Sequence, residues 1–493
     1  MALTEAKDSD SSAATPLIVD LDETLVRTDT LHEALLRLVV SHPLALFGLF
    51  GAVRRGKSAF KSYVADRQVV PADALPFNAD VLALINDARA QGRDVALVSA
   101  SDHRQVSAVA AHLDLFDEAV GTGSTEADGK NLSGAHKAEY LAARYGAGQF
   151  DYVGDCDTDL PVWAASRTAY VTQGSRTLSA RAAAQDIDLN VLGTQSASND
   201  RIKATFKAMR PHQWIKNILV FLPVLAAQDA GGLVQALLAF VFFSLIASSV
   251  YIINDLVDLP ADRTHPRKCQ RPFAAGTVPI RTGILLALVL LVGSTILSAI
   301  LMPPVFLAVL ALYFAITLAY SLVLKRGLII DVVTLATLYT MRIIAGAAAT
   351  YIEPSPWLVA FSMFLFFGLA AIKRQAELVD QIAHGKDTTP GRGYLSTDVT
   401  VLQMLAISSG QAAVLVFALY LYSPAVAALY DTPQIMWLIC PIMLYWLSRV
   451  ALLTHRGQMT DDPIIFAVRD RTSQFIGVVL ILVLLAAERD WNL

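Results

Sequence analysis

Two groups of carboxylates stand out in this sequence by their spacing. The first is Asp20-Leu-Asp-Glu-Thr24, directly after the apolar segment Pro16-Leu-Ile-Val19. Carboxylates one residue apart at the C-terminal edge of a parallel strand lie where α/β sheets place their ligand sites. Three further pieces follow in order: Ser99 in Leu-Val-Ser-Ala, Lys137 in Gly134-Ala-His-Lys-Ala-Glu139, and Gly154-Asp-Cys-Asp-Thr-Asp159. The second group is Asn254-Asp-Leu-Val-Asp-Leu-Pro-Ala-Asp262, with Asp255, Asp258 and Asp262 at i, i+3 and i+7. A helical backbone puts all three on one face. At the end of a membrane helix such a face repels itself unless a cation sits within it. Mg²⁺ carrying a diphosphate is the natural occupant, because it takes one or two carboxylates plus phosphate oxygens. Arg263, Lys268 and Arg271 follow at once, and Lys216, Lys325, Arg326, Lys373 and Arg374 enter from distant loops. Arg342 stands inside an apolar run, where a charge is costly and marks a functional candidate. For Lys325 and Arg326, plain anchoring at the membrane edge weighs as heavily as a binding role.

These residues need two different scaffolds. From Pro16 to about Asn190, short apolar strands (Pro16–Asp20, Asp94–Ser99, Asp151–Asp155) alternate with helical stretches. That alternation predicts a doubly wound, parallel α/β domain over residues 16–192. A polar linker, Gly193–Asp200, leads into Arg201–Arg210, where Ile202, Phe206 and Met209 share a helical face and basic residues occupy the rest. Such a helix suits the membrane surface, so residues 193–209 are read as linker and interfacial helix. Residues 1–15 are polar and Ser-rich, without the regions of a signal peptide, and read as a disordered, cytoplasmic start.

Composition supports a chain part soluble, part membrane. Of 493 residues 55% are hydrophobic and only 17% charged, against about 25% charged in soluble domains. With 39 basic and 43 acidic residues the net charge is −4, which speaks against nucleic-acid binding. Cys156, Cys269 and Cys440 are too few and scattered for a disulfide framework or a zinc site. Apolar runs between Ile215 and Ala487 predict an all-α membrane domain, residues 210–493, of about nine spans, the first being Ile215–Ala227. Lys and Arg collect in alternate loops, so the charged loops and the N-terminal domain are expected on the cytoplasmic side.

The first group of motifs resembles the four motifs of the haloacid dehalogenase (HAD) superfamily over about 175 residues. The resemblance implies a Rossmann-like phosphatase domain with a helical cap. Asp20 would be the nucleophile and Asp22 the general acid and base. Thr24, Ser99 and Lys137 would serve the phosphate, and Asp20, Asp22, Asp155 and Asp159 would form the Mg²⁺ site. A carboxylate attacking a phosphate dianion needs its charge neutralised, which suits a lysine and a divalent ion. Leu35–Ala52, within the cap region, is unusually apolar; it is read first as core and second as a surface leaning on the bilayer.

The membrane half resembles the UbiA superfamily of intramembrane transferases across Arg210–Leu493. Three segments resemble its decaprenyl-phosphate phosphoribosyltransferase branch: Arg210-Pro-His-Gln-Trp-Ile-Lys-Asn217, Asp262-Arg-Thr-His-Pro-Arg-Lys-Cys-Gln-Arg-Pro272 and Asp462-Pro-Ile-Ile-Phe-Ala-Val-Arg-Asp-Arg471. That branch implies transfer from phosphoribosyl pyrophosphate to a polyprenyl phosphate. Asp255, Asp258 and Asp262 would hold a second Mg²⁺, and Asn254, His265 and the cations above would contact substrate. The second D-x-x-x-D of many prenyl-transferring members is incomplete, since Leu335 stands four places after Asp331. The combined expectation is a two-activity enzyme of a bacterial inner membrane. It would ribosylate a lipid phosphate, then remove the 5-phosphate, toward cell-envelope glycan synthesis. Alternatives are an aromatic prenyltransferase with an unrelated or regulatory HAD domain and, more distantly, a lipid-binding or transport protein. A homo-oligomer is left open.

Overall fold

The computed structural model describes residues 15–488 apart from 43, 126–130, 173, 194–197, 386–391, 424, 425, 427, 428, 460 and 461. The expected disordered start, residues 1–15, and part of the Gly193–Asp200 linker therefore fall largely outside the described residues. The chain divides into two compact units: residues 1–209 with 251–286, and residues 210–250 with 287–493.

In the first unit six strands form one sheet: β1 (Leu17–Val19), β2 (Val95–Asp102), β3 (Glu118–Thr122), β4 (Asp151–Gly154), β5 (Thr168–Val171) and β6 (Leu189–Val191). Their spatial order is β3-β2-β1-β4-β5-β6, with every pairing parallel. β1 is buried throughout, as a strand covered on both faces must be, and this explains its unbroken Leu-Ile-Val. The order reverses between β1 and β4, which opens the crevice where such sheets bind ligands. Helices α1 (Thr30–Ser41), α2 (Ala45–Arg54) and α3 (Lys57–Ala65) are inserted after β1. Side-chain caps start several helices of the unit: Asp29 on α1, Asn78 on α4 (Ala79–Ala90) and Asp102 on α5 (His103–Leu113). The remaining helices are α6 (Ala135–Tyr145), α7 (Leu160–Ala165), α8 (Arg176–Ala183) and α9 (Ser198–Ala208), the last being the expected basic helix.

Leu35–Ala52 meets its first reading as core only in part: Leu38 is buried, and Leu35, Ala45 and Leu49 pack on the core. Ala52 is buried, but Leu44, Phe47 and Phe50 are 79%, 80% and 75% exposed. The helix is too apolar for a single inward stripe to use all its side chains.

The second unit is helical. After a 3₁₀ turn over Pro211–Phe221 and the short α10 (Leu222–Ala226) come α11 (Leu233–Val257), α12 (Leu259–Thr264), α13 (Ile280–Leu301), α14 (Pro304–Leu322) and α15 (Ile330–Thr350). Then follow α16 (Pro356–Ala383), α17 (Val399–Leu421), α18 (Ile439–His455), α19 (Pro463–Arg469) and α20 (Arg471–Ala487). Of these, α12, the end of α11 and the start of α13 belong to the first unit. Among the described residues seven helices are long and apolar enough to cross a membrane. The count reaches eight if α19 and α20, bent by 84°, make one span. About nine spans were expected, and the difference lies at Ile215–Ala227. There Pro223 and the 3₁₀ geometry leave a helix of five residues, far below the ~20 a full crossing needs.

Candidate active sites

The first site forms at the carboxyl ends of β1 and β4. Asp20 ends β1, and its Oδ1 accepts from the Leu21 amide at 2.8 Å. Lys137, buried on α6, brings Nζ to 2.9 Å of Asp20 Oδ2 and 3.9 Å of Asp159 Oδ1. It also donates to the Tyr152 hydroxyl at 2.9 Å, and that hydroxyl donates to Asp159 at 2.9 Å. Burial disfavours the charged lysine, but Asp20 and Asp159 outweigh it and hold its pKa above the ordinary value. Gly154 is required by contact: a Cβ there would meet the Asp159 carboxylate at 2.6 Å. With glycine in place, Asp159 folds back to accept from the Asp155 and Cys156 amides at 3.1 and 3.3 Å.

Asp22 is differently placed. Its Oδ1 accepts from both the amide and the hydroxyl of Thr30 at 2.7 Å, and its Oδ2 from Ser101. Burial, reinforced by the nearby Asp29 carboxylate, raises its pKa to about 7, which suits a group that must both give and take a proton. Ser99 is buried and its Oγ accepts from the Ser101 amide at 3.2 Å. Thr24 is buried with its hydroxyl unpartnered.

Asp155 fits a divalent ion. Its pKa is driven well above the carboxylate range by burial and then by Asp159, Asp20 and Glu23. A buried carboxylate cluster answered by Lys137 gains from a further positive charge. Asp155, Cys156 and Asp159 have ligand atoms within 4.8 Å of one another, but burial pushes the Cys156 thiol up to about 12. A protonated thiol is no ligand for Mg²⁺, so the carboxylates carry the fit.

The sequence reading missed Thr30, Ser101 and Lys61. Lys61, on α3, donates to the Ala100 carbonyl at 2.5 Å and Asn131 Oδ1 at 2.7 Å. Desolvation lowers its pKa, while the charges of Asp22, Asp29 and Asp20 raise it, so it lies within electrostatic reach of the site. A lysine in an apolar-looking insert carries no motif of its own.

The second acidic group remains on one helical surface, although α11 stops at Val257 and α12 begins at Leu259. The Asp258 amide donates to Asn254 O at 2.8 Å and the Asp262 amide to Asp258 O at 2.9 Å, so helical bonding runs through the break. Asp255 and Asp262 are buried, and Arg271 spans them, 3.1 Å from Asp255 and 2.5 Å from Asp262. One guanidinium serving two carboxylates shows that this surface draws cations. His265 Nδ1 accepts from the Arg267 and Lys268 amides at 3.2 and 3.3 Å, shaping the turn that carries Lys268. Asn254 Oδ1 is buried and unpartnered. Arg263 is engaged elsewhere: it donates to Glu33 of α1 at 2.8 Å and to the Ala74 carbonyl at 3.0 Å. A phosphate role for it requires that pair to open.

In the second unit the expected cations fall into separate networks. Lys216 and Lys373 share Asp462 at 2.8 and 3.0 Å, with the Tyr339 hydroxyl at 3.3 Å. Arg374 pairs with Asp331 at 2.7 Å and with Glu377, and Arg392 joins Glu377 at 3.1 Å. Tyr394 donates to Asp331 at 2.5 Å. Asp331, without a fourth-place partner acid, thus serves an ion-pair cluster. Arg342 is buried on α15, donating to Asn217 Oδ1 at 2.9 Å and the Tyr313 hydroxyl at 3.3 Å. Lys325 and Arg326 stand in the turn between α14 and α15. Glu377, Arg392 and Asp462 were absent from the expected site residues, although Asp462 opens the segment Asp462–Arg471.

Known proteins share both halves. The model of the UbiA prenyltransferase family matches residues 218–476, and that of haloacid dehalogenase-like hydrolases matches 17–163. The uncharacterized protein y4nM of Sinorhizobium fredii is 36% identical over 471 residues, covering 94% of this chain and 89% of its own. The nodulation protein NoeC of Azorhizobium caulinodans is 37% identical over 58% of this chain and 94% of its own. The decaprenyl-phosphate phosphoribosyltransferase of Mycobacterium tuberculosis is 32% identical over 58% of this chain and 95% of its own. The chain is therefore a member of the UbiA prenyltransferase family that carries a haloacid dehalogenase-like hydrolase domain at its N-terminal end.

Proposed function

We propose that the chain makes a polyprenyl-phosphoryl ribose in two steps. The membrane half transfers 5-phosphoribose from phosphoribosyl pyrophosphate to a polyprenyl phosphate, and the HAD domain then removes the 5-phosphate. The observation that carries this reading is the likeness to decaprenyl-phosphate phosphoribosyltransferase along 95% of that relative's length, in a chain that also holds the full HAD motif set.

In the transfer, a lipid phosphate oxygen attacks ribose C1, the C1–pyrophosphate bond breaks, and pyrophosphate leaves. Asp255, Asp258 and Asp262 would hold Mg²⁺, which supplies charge neutralisation to the departing pyrophosphate. Arg271, which spans Asp255 and Asp262 in the structure, would be the nearest guanidinium to a pyrophosphate held there. Lys268, next to the acidic face, would be a further cation for a donor and acceptor with three phosphate-bearing positions between them. In the hydrolysis, an Asp20 oxygen attacks phosphorus while Asp22 donates its proton to the leaving ribose oxygen. Water then attacks the phosphoaspartate, Asp22 takes the proton, and phosphate leaves. Lys137 and Ser99 hold phosphate oxygens throughout; Asp155 and Asp159 would support the ion that neutralises them. Both sites would face the cytoplasm of a bacterial inner membrane, where hydrolysis of the 5-phosphate draws the transfer forward.

The test uses purified full-length protein in detergent with Mg²⁺, polyprenyl phosphate and phosphoribosyl pyrophosphate labelled in the ribose. Label in the lipid fraction is the expected result. Absence of label, with prenylation of 4-hydroxybenzoate by a prenyl diphosphate instead, replaces the reading by the aromatic one.

A further inference from the structure

Helix α2 is built against the usual rule for a soluble domain. From Ala45 to Val53 it has no charged residue, and a helix apolar all round belongs in a core or in lipid. Only one stripe faces inward. Ala45 and Leu49, at i and i+4, pack on the domain's core, Ala52 at i+7 is buried, and the Ala45 carbonyl accepts from the Tyr63 hydroxyl of α3 at 2.9 Å. The ring of Tyr63 lies directly against Gly48, so the inward face is fixed. The opposite face carries Phe47, Phe50 and Val53, with Leu44 at its start, all exposed. Arg54, Arg55 and Lys57 follow at once and are exposed too.

Water is a poor occupant for two adjacent phenylalanines, since each buries 150–250 Å² when covered (roughly). Among the described residues of its own unit, nothing covers them. That same unit includes residues 251–257 and 280–286, which are the ends of two candidate membrane spans, Ala230–Val257 and Ile280–Leu301. Continuous helices therefore tie the unit to the bilayer. It also holds α9, whose Ile202 and Phe206 are exposed among Arg201, Lys203 and Lys207. Aromatic side chains beside a basic cluster match the boundary between acyl chains and anionic headgroups.

We propose that α2 is a membrane-seating helix: its outer face, through Phe47 and Phe50, enters the lipid interface while Arg54, Arg55 and Lys57 meet anionic headgroups. The HAD crevice is then held at the level of lipid headgroups. The seating holds whether or not the phosphoribosyl reading does.

The experiment places a single environment-sensitive NBD label at Phe50→Cys, in full-length protein with Cys156, Cys269 and Cys440 replaced by serine. The protein is reconstituted into phosphatidylcholine–phosphatidylglycerol vesicles, with label at the exposed Gln91→Cys as the polar reference. The expected result is blue-shifted emission at position 50, quenched by doxyl-labelled phosphatidylcholine and protected from aqueous iodide. Removing phosphatidylglycerol should weaken the lipid quenching. Emission like that at position 91, quenched by iodide, overturns the proposal. So does a blue shift that neither quencher affects, because it marks a protein partner. Phe47→Cys repeats the measurement should the Phe50 variant fail to reconstitute.

Discussion

Lys137→Met is the most searching substitution for the N-terminal site, because methionine keeps the buried stem and removes only the charge. Lys137 Nζ lies 2.9 Å from Asp20 and 3.9 Å from Asp159. At an effective permittivity near 20 those separations give gross attractions of about 6 and 4 kcal/mol. Desolvation of the ammonium cancels much of this. On the proposed role of Lys137, catalysis would lose one preorganised cation at the attacked phosphate, about 2.7–4 kcal/mol, or 10²–10³ in turnover. The carboxylates of Asp20, Asp155 and Asp159 would also repel the incoming dianion more strongly. The assay is Mg²⁺-dependent hydrolysis of a soluble phosphate monoester by the full-length protein in detergent. Label transfer to lipid, measured on the same preparation, reports that the membrane half is intact. A Lys137→Met protein hydrolysing within about threefold of the wild type would refute the assignment of this lysine to phosphate.

Three other outcomes follow from the geometry. In the proposed hydrolysis Asp22, with its pKa raised to about 7, gives the proton, so the acid-dependent step should slow as pH rises through about 7. Because the native state then holds more protons than the unfolded one, the metal-free domain should lose stability as pH climbs from the carboxylate range to 7; Mg²⁺ should raise its melting temperature more at the upper end, and equal shifts at both ends would contradict this. Asp258→Ala should abolish label transfer and leave monoester hydrolysis unchanged; parallel loss of both would place the residue in folding instead. Asp462→Asn should destabilise the membrane half by about 3–5 kcal/mol, because Lys216 would stay buried without its partner. Adding Lys216→Met should restore part of the melting temperature, and no recovery would deny that the pair is coupled.

The strands and the motif order were legible because each is local. A hydrophobic strand, an acid at its end and the glycine that opens Gly154-Asp-Cys-Asp-Thr-Asp159 can be read without the fold. Ser101 was not legible, because a register shift between Ser99 and Asp102 turns it toward Asp22, 79 residues earlier in the chain. Asp462 and Lys216 are 246 residues apart, and no spacing rule joins them. Arg263 read as a phosphate ligand because it follows Asp262, whereas packing gives it to Glu33. The span count runs one high, at Ile215–Ala227, because hydropathy alone does not register proline and 3₁₀ geometry. In α2 the apolar run was legible, but its outward half could be identified only once α3 had claimed the inward face.

The coupled order of the two activities is tested most directly by comparing wild type with Asp20→Asn. Both are incubated with Mg²⁺, polyprenyl phosphate and phosphoribosyl pyrophosphate, and the lipid products are resolved by mass. The account predicts lipid-linked ribose from the wild type and, from the variant, a product heavier by one phosphoryl group that accumulates without conversion. The same final lipid from both proteins would contradict it.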